Sequence, residues 1–431
     1  MKKTLFLLTF FLSLFFLYSC KDNTRIDIGL EVNEISLKVD ETYQIELKNL
    51  NNNKPTFKST DESIVIVDEF GLIKALKAGE AKIKVKFKSF SEEIIVNVDE
   101  VLKINGTETF DSKILYSLKD ESLTENIKLS ENSLTVSNNE TRGIYVSKPI
   151  LIEEFNELVL TYNMNYFKQG RAVFSVAIGN NETFSDFFIM AAKLNDTNRS
   201  IGSQDNDFGK VNIDTLINKD VSNNYIRLKF ELNKNDDIYV KNLSVTTKKA
   251  NKELIYNENN LINKVLDVPK IAQLKTPNIG NLICSPTSLT MVLNYYNKDL
   301  NEVDTAYIVQ DDANKIFGNW TLNASYAGSF NDLKSRVEYI HDFDVVINYI
   351  KNDIPVIFSI NTKTIDDLKG SIMAFPAGHL IVLIGFKQID GVWHGVFNDP
   401  AEHVDDKVIK YYNMDQVLNV WRNYTYIIDY N

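Results

Sequence analysis

Apolar and polar residues alternate with period two in a succession of runs that begins near residue 30. Between 30 and about 99 the runs are short, as in Ile35-Ser36-Leu37-Lys38-Val39 and Ala81-Lys82-Ile83-Lys84-Val85-Lys86-Phe87, with turn residues between them. Alternation of this kind gives each strand one buried and one solvated face, and it predicts a small β-sandwich over residues 30–99. Longer strand-like runs follow at 158–164, 172–178, 225–232 and 238–245, separated by Asn-rich loops. Their number and spacing predict a second, larger β-sandwich over residues 100–250. Its aromatics Tyr166, Phe167, Phe187 and Phe188 are assigned to core packing rather than to a ligand groove. Beyond Asn251 the pattern changes to a helical run after Cys284, another around 342–351, an apolar strand at 355–360 and a later hairpin. That mixture predicts an α+β unit over residues 251–431 in which helix precedes sheet. The expected fold class is multidomain, two all-β sandwich domains followed by an α+β domain.

The hairpin carries candidate chemistry. Residues 379–386 read as a buried strand, Asp390-Gly391 as its turn and residues 392–397 as the return strand. Folding about that turn makes His379 and Asp399 neighbours across an antiparallel pair, with opposed Cβ atoms roughly 5 Å apart. His394 lies an odd number of positions before Asp399, so it is expected on the opposite face; His341 and His403 read as surface residues. Cys284 heads the helical run Cys284-Ser285-Pro286-Thr287-Ser288-Leu289. Unpaired N–H groups and the positive end of the helix dipole favour a thiolate there. A cysteine, a histidine to take its proton and a carboxylate to orient the histidine are the parts of a thiol hydrolase.

The amino end bears on compartment. Lys2-Lys3 form a positive segment, residues 4–16 an apolar one too short for a comfortable membrane span, and Leu17-Tyr18-Ser19-Cys20 looks like a lipobox, although Tyr18 is unusual there. Resemblance to bacterial lipoprotein signals implies a signal peptide over 1–19, lipid on the sulfur of Cys20 and a linker to 29. The protein is then expected in the bacterial cell envelope, lipid-anchored and exposed at the cell surface. With only two cysteines and Cys20 consumed, Cys284 is left free and no internal disulfide forms. A net charge of −11 argues against nucleic acid and against electrostatic binding to anionic membranes. Four histidines, no H-E-x-x-H and no C-x-x-C leave little material for a transition-metal site. The run Asp205-Asn206-Asp207-Phe208-Gly209 lacks the terminal glutamate of a calcium loop and reads as a solvated turn. No metal or cofactor is expected, and the chain is expected to be a monomer acting on a peptide or protein substrate.

Two resemblances extend this reading. Residues 41–45, 59–68, 70–75 and 78–85 resemble the bacterial Ig-like group 2 domain, which implies a spacer that lifts the rest of the chain off the membrane. Val268-Pro269-Lys270-Ile271-Ala272-Gln273, the run around Cys284, Gly318-Asn319-Trp320, Ile354-Pro355-Val356-Ile357, Gly378-His379 and Asn398-Asp399-Pro400 resemble the C-thirty-nine-like group of papain-fold cysteine peptidases. Residues 209–216 and 225–228 resemble the β-sandwich preceding that domain in secreted members. Residue by residue, the resemblance implies Cys284 as nucleophile, His379 as general base and then acid, and Asp399 as the orienting group. It also implies Gln273 as an oxyanion-hole donor beside the backbone N–H of Cys284. Gln273 stands 11 positions before Cys284, so an inserted loop must bring it back, or Asn278 or Asn281 takes its place. Ser285, where many relatives carry glycine, is expected to crowd the oxyanion side. The resulting expectation is a surface-anchored thiol hydrolase cleaving peptide or amide bonds through a thioester. The alternatives are an adhesin with a non-catalytic papain-like domain, and acyl transfer to an amine.

Overall fold

The structure is a computed structural model that describes residues 32–38, 41–47, 54–87, 90–99, 106–180, 182–250 and 253–431. The expected signal peptide, Cys20 and the linker to 29 lie outside the described residues. The chain divides into two compact units, Met1–Val101 and Leu102–Asn431.

In the first unit a four-stranded sheet carries Gly79–Phe87 hairpinned on Phe90–Asp99, with Glu34–Lys38 added in parallel at its edge. A three-stranded sheet of Thr42–Gln44, Leu72–Ala75 and Val65–Val67 closes over it. Both contribute to one core that includes Ile35, Leu37, Val65, Ile73, Ile83, Val85 and Val96. Along Gly79–Phe87 the inward residues Ala81, Ile83 and Val85 are buried while Lys84 and Lys86 are exposed, so the alternation read from sequence is the alternation of the pleat.

Among its described residues the second unit holds two large cores and a small cluster of Ile283, Ala306 and Phe317. An eight-stranded and a six-stranded sheet enclose Phe110, Tyr145, Leu158, Leu160, Tyr162, Phe174 and Phe230. Phe167 and Phe188 are buried in this sandwich, whereas Tyr166 is 43% exposed. The Asn206 turn is held by its own side chain, which accepts from the N–H groups of Phe208 and Gly209. The α+β part is a seven-stranded sheet in the order Leu333–Tyr339, Trp421–Tyr430, Val356–Ile360, His379–Ile389, Val392–Asn398, Ile409–Asn413, with Lys264–Val265 paired to the His379 strand. The helix Cys284–Tyr295 packs on this sheet and is buried on all sides from Ser285 to Leu293.

The strand Glu157–Met164 belongs to both cores, because its two faces meet different partners. Leu158, Leu160 and Tyr162 enter the sandwich core, and Val159 enters the core of the α+β part. Thr161 and Asn163 address Leu333–Tyr339, the edge strand of the α+β sheet. Asn163 Nδ2 donates to the Ser335 carbonyl at 2.8 Å, and its Oδ1 accepts from Ser335 N–H at 2.8 Å. The Val337 N–H donates to Thr161 Oγ1 at 3.2 Å, and Thr246 Oγ1 donates to the Val337 carbonyl. The edge of that sheet is thus buried and satisfied by side chains instead of by another strand. At Gly328 a Cβ would fall 2.2 Å from the Asn163 side chain, so only glycine admits this approach. The boundary expected at 250 therefore separates two cores that lie within one compact unit.

Candidate active site

Cys284 is the first residue of its helix, after Ile283, and no side chain caps that end. The backbone N–H groups of the first turn are left to other acceptors, and the dipole there favours negative charge. Pro286 is tolerated because a first-turn residue has no intrahelical N–H bond to lose. One turn further on, Ser288 Oγ donates to the Leu380 carbonyl at 3.0 Å, which fixes the helix against the start of the His379 strand. The Cys284 thiol is half-buried. Burial pushes it up, but hydrogen bonding and charge from the His379 ring, with the N–H groups of Leu380 and Ser285, outweigh burial and hold it below the ordinary cysteine value.

His379 begins its strand after Gly378, whose φ of +99° lies in the region that favours glycine. Its Nε2 lies 2.8 Å from Asp399 Oδ1, so Nδ1 is the nitrogen turned to the thiol. The ring is 2% exposed and stacks on Phe375, with centroids 3.9 Å apart and planes within 13°. Burial alone would push the imidazole down; the Asp399 carboxylate, then the Cys284 sulfur, raise it above the ordinary histidine value. Asp399 is 1% exposed and fully partnered. Oδ1 also accepts from Ala401 N–H at 3.0 Å, and Oδ2 accepts from Tyr412 OH at 2.7 Å. Burial opposes its charge, yet His379 and these donors hold the carboxyl below its ordinary value.

The hairpin reading needs one correction of register. The turn at Asp390-Gly391 is as expected, with φ of 48° and 80°. A bulge between Leu383 and Gly385 then leaves Val382 opposite Asn398. Asp399 is level with Ile381, one same-face step from His379, and the two side chains meet diagonally instead of directly opposed. His394 bonds the Val392 carbonyl at 3.0 Å, away from the site, and His403 is exposed. His341 is half-buried rather than solvated.

Gln273 is 4% exposed and sits in the first of two short turns, Gln273–Lys275 and Gly280–Leu282, that take up the extra residues before Cys284. Its backbone N–H donates to the Pro400 carbonyl at 2.8 Å, which ties it to the Asp399 loop. Its side-chain Nε2 donates to the Gly280 carbonyl at 2.7 Å, and Oε1 is buried without a partner. The chain thus returns Gln273 to the turn leading into Cys284, with one amide hydrogen spent on Gly280. Asn278 and Asn281 are exposed. The Ser285 hydroxyl is buried and lies 2.9 Å from Tyr426 OH, so it is turned into the core.

Two contributors escaped the sequence reading. Tyr412 is indistinguishable from Tyr411 until the pairing of Gly395 with Tyr412 is known. Phe375 lies in a loop whose only signal was its apolar run. Among the described residues no cluster of His, Cys, Asp and Glu could hold a metal ion.

Residues 265–428 match the model described as the Peptidase_C39 like family. None of the curated proteins matches. Among solved structures, a double glycine motif protease from an AMS/PCAT transporter, crystallised with its leader peptide, is 18% identical, covers 40% of this chain and 97% of its own, and gives a TM-score of 0.27. A C39-like peptidase from Bacillus anthracis is 16% identical over 39% of this chain and 98% of its own, with a TM-score of 0.30. The carbohydrate-binding module TmCBM61, solved with a galactotriose, is 10% identical over 34% of this chain and 92% of its own, with a TM-score of 0.18. The chain therefore carries a Peptidase_C39-like domain over residues 265–428, behind an amino-terminal region built largely of antiparallel β-sheets.

Proposed function

We propose that the protein is a thiol hydrolase that cleaves peptide or amide bonds through an acyl thioester on Cys284. The observation that supports this most is the buried His379–Asp399 pair at 2.8 Å, beside a Cys284 thiol that the His379 ring helps hold below the ordinary cysteine value, at a bare helix start. In the first half-reaction Cys284 Sγ attacks the carbonyl carbon as its proton passes to His379 Nδ1. The oxyanion is met by the backbone N–H of Cys284, with Gln273 as second donor. Collapse breaks the C–N bond, and His379 returns its proton to the leaving amine. Water then attacks the thioester, gives its proton to His379, and regenerates the thiol. Asp399 holds the imidazole in its working orientation and stabilises its cationic form.

A thiol-directed peptidyl probe followed by a peptide-library cleavage profile tests this reading. Cys284→Ala is expected to lose labelling and turnover by orders of magnitude at a nearly unchanged thermal midpoint, since only the nucleophile is removed. His394→Ala should leave both intact. Undiminished turnover in Cys284→Ala removes the assignment.

A further inference from the structure

The His379 end of the sheet continues sideways into a surface that the hydrolytic line does not use. His379 pairs with Ile360, and Ile360 pairs with Trp421, so the next residue, Arg422, emerges at the same sheet end two strands away. Arg422 is exposed, and its NH1 lies 3.7 Å from where a Cβ on Gly378 would stand. Among the described residues it has no carboxylate partner. Its guanidinium is held over the Trp320 ring, 5.3 Å from the centroid, and Tyr424 packs on that indole with centroids 4.5 Å apart. Trp320 is itself fixed: it opens the helix Trp320–Ala327, and its backbone N–H donates at 2.6 Å to Asp214, at the tip of a sandwich hairpin. An open cleft runs from Arg422 past Trp421, Val420, Asn419 and Asn361 to Lys363. Two carboxylates share it. Asp367 is occupied by the N–H groups of Lys363 and Thr364, which leaves Asp366 as its one acidic side chain without a partner.

We infer that Arg422 is a specificity-determining residue of the candidate active site, taking a carboxylate of the substrate, a glutamate or aspartate side chain, in the cleft beside Gly378. A planar guanidinium already oriented by an indole loses little freedom on meeting a carboxylate, and the pair can be bidentate. Its position beside the residue that precedes His379 puts the contact within a few substrate residues of the scissile bond. The inference rests on the hydrolase reading above.

The test compares wild type with Arg422→Gln on matched peptides drawn from the cleaved members of a library, differing only in Glu or Gln at each position around the cut. At one position wild type should prefer Glu by about fivefold in kcat/KM, as expected for a partly exposed ion pair. The preference should reside in KM, weaken in high salt and vanish in Arg422→Gln, which still cleaves the Gln peptides; a Glu preference that persists in Arg422→Gln overturns the inference. Wild type that cleaves but is indifferent to Glu at every position overturns this inference alone. Wild type that cleaves no library member removes the hydrolase reading and this inference with it.

Discussion

Replacing Tyr412 by Phe deletes one oxygen from the group that holds Asp399 and leaves the ring volume in place. Tyr412 is fully buried and packs against Phe397, with centroids 5.8 Å apart. Its hydroxyl gives Asp399 Oδ2 a 2.7 Å hydrogen bond, one of three donors to that carboxylate together with His379 and Ala401. A hydrogen bond to a buried charged acceptor contributes about 1.5–3 kcal/mol, equivalent to roughly one to two pKa units on Asp399. Because the folded-state value of Asp399 is depressed below 3.8, this stability is present above that unfolded value and is lost as pH falls through the folded value. His379 is raised above 6.5, so its share is complete below that value and lost as pH rises through the folded one. Chemical denaturation of wild type and Tyr412→Phe should therefore differ by about 2 kcal/mol near neutral pH, and the gap should close in acid. Without the Tyr412 donor the Asp399 carboxylate stays ionised at neutral pH and keeps its charge beside the imidazolium, but it is held in place by two donors instead of three. The upper limb of the bell-shaped rate profile of the Cys284–His379 pair should therefore not move to lower pH, while the maximal rate falls about tenfold because the imidazole is less firmly oriented. A stability difference independent of pH would mean lost packing and not a lost bond to charge, and an undiminished maximal rate would refute the supporting role.

Two further outcomes follow from other parts of the molecule. Asp214 is pushed up to about 6, by burial first, against the opposing Trp320 N–H bond, so the folded state keeps a proton that the unfolded chain releases near 3.8. Stability should fall as pH rises between those values, by at most about 3 kcal/mol, and Asp214→Asn should flatten that slope; an equal slope in both proteins by urea titration contradicts it. If Cys20 is acylated, mature wild-type protein should enter the detergent phase and Cys20→Ala should not, with wild type wholly in the aqueous phase as the contrary result.

What the sequence made legible was whatever depends on short range. The alternation 81–87 names the buried side of its strand residue by residue, because side chains in a pleat take turns. Asp390-Gly391 marks a turn, because both residues tolerate positive φ, and the turn suffices to bring His379 near Asp399. The register beyond it was not legible. A bulge such as the one between Leu383 and Gly385 depends on what packs on the strand, and nothing in the hairpin's own sequence announces it. The inward turn of Ser285 was equally hidden, since its partner Tyr426 lies 141 positions away.

The least legible feature is the use of the larger sandwich. Thr161 and Asn163 are the polar positions of the strand-like run 158–164, and a strand pattern alone cannot tell water from the edge of another sheet. In the structure Asn163 occupies both polar groups of Ser335, while Thr161 and Thr246 occupy those of Val337. Lys241 reaches the carbonyls of Gly328, Ser329 and Phe330 at 2.9–3.3 Å, just past the helix that Asp214 holds at its other end. The sandwich thus grips Trp320–Ala327 at both ends and covers the strand that follows it. Trp320 carries Arg422, and Arg422 lies against the glycine before His379. The position of one wall of the candidate cleft is therefore set by residues 161–246, outside the stretch that supplies Cys284, His379 and Asp399.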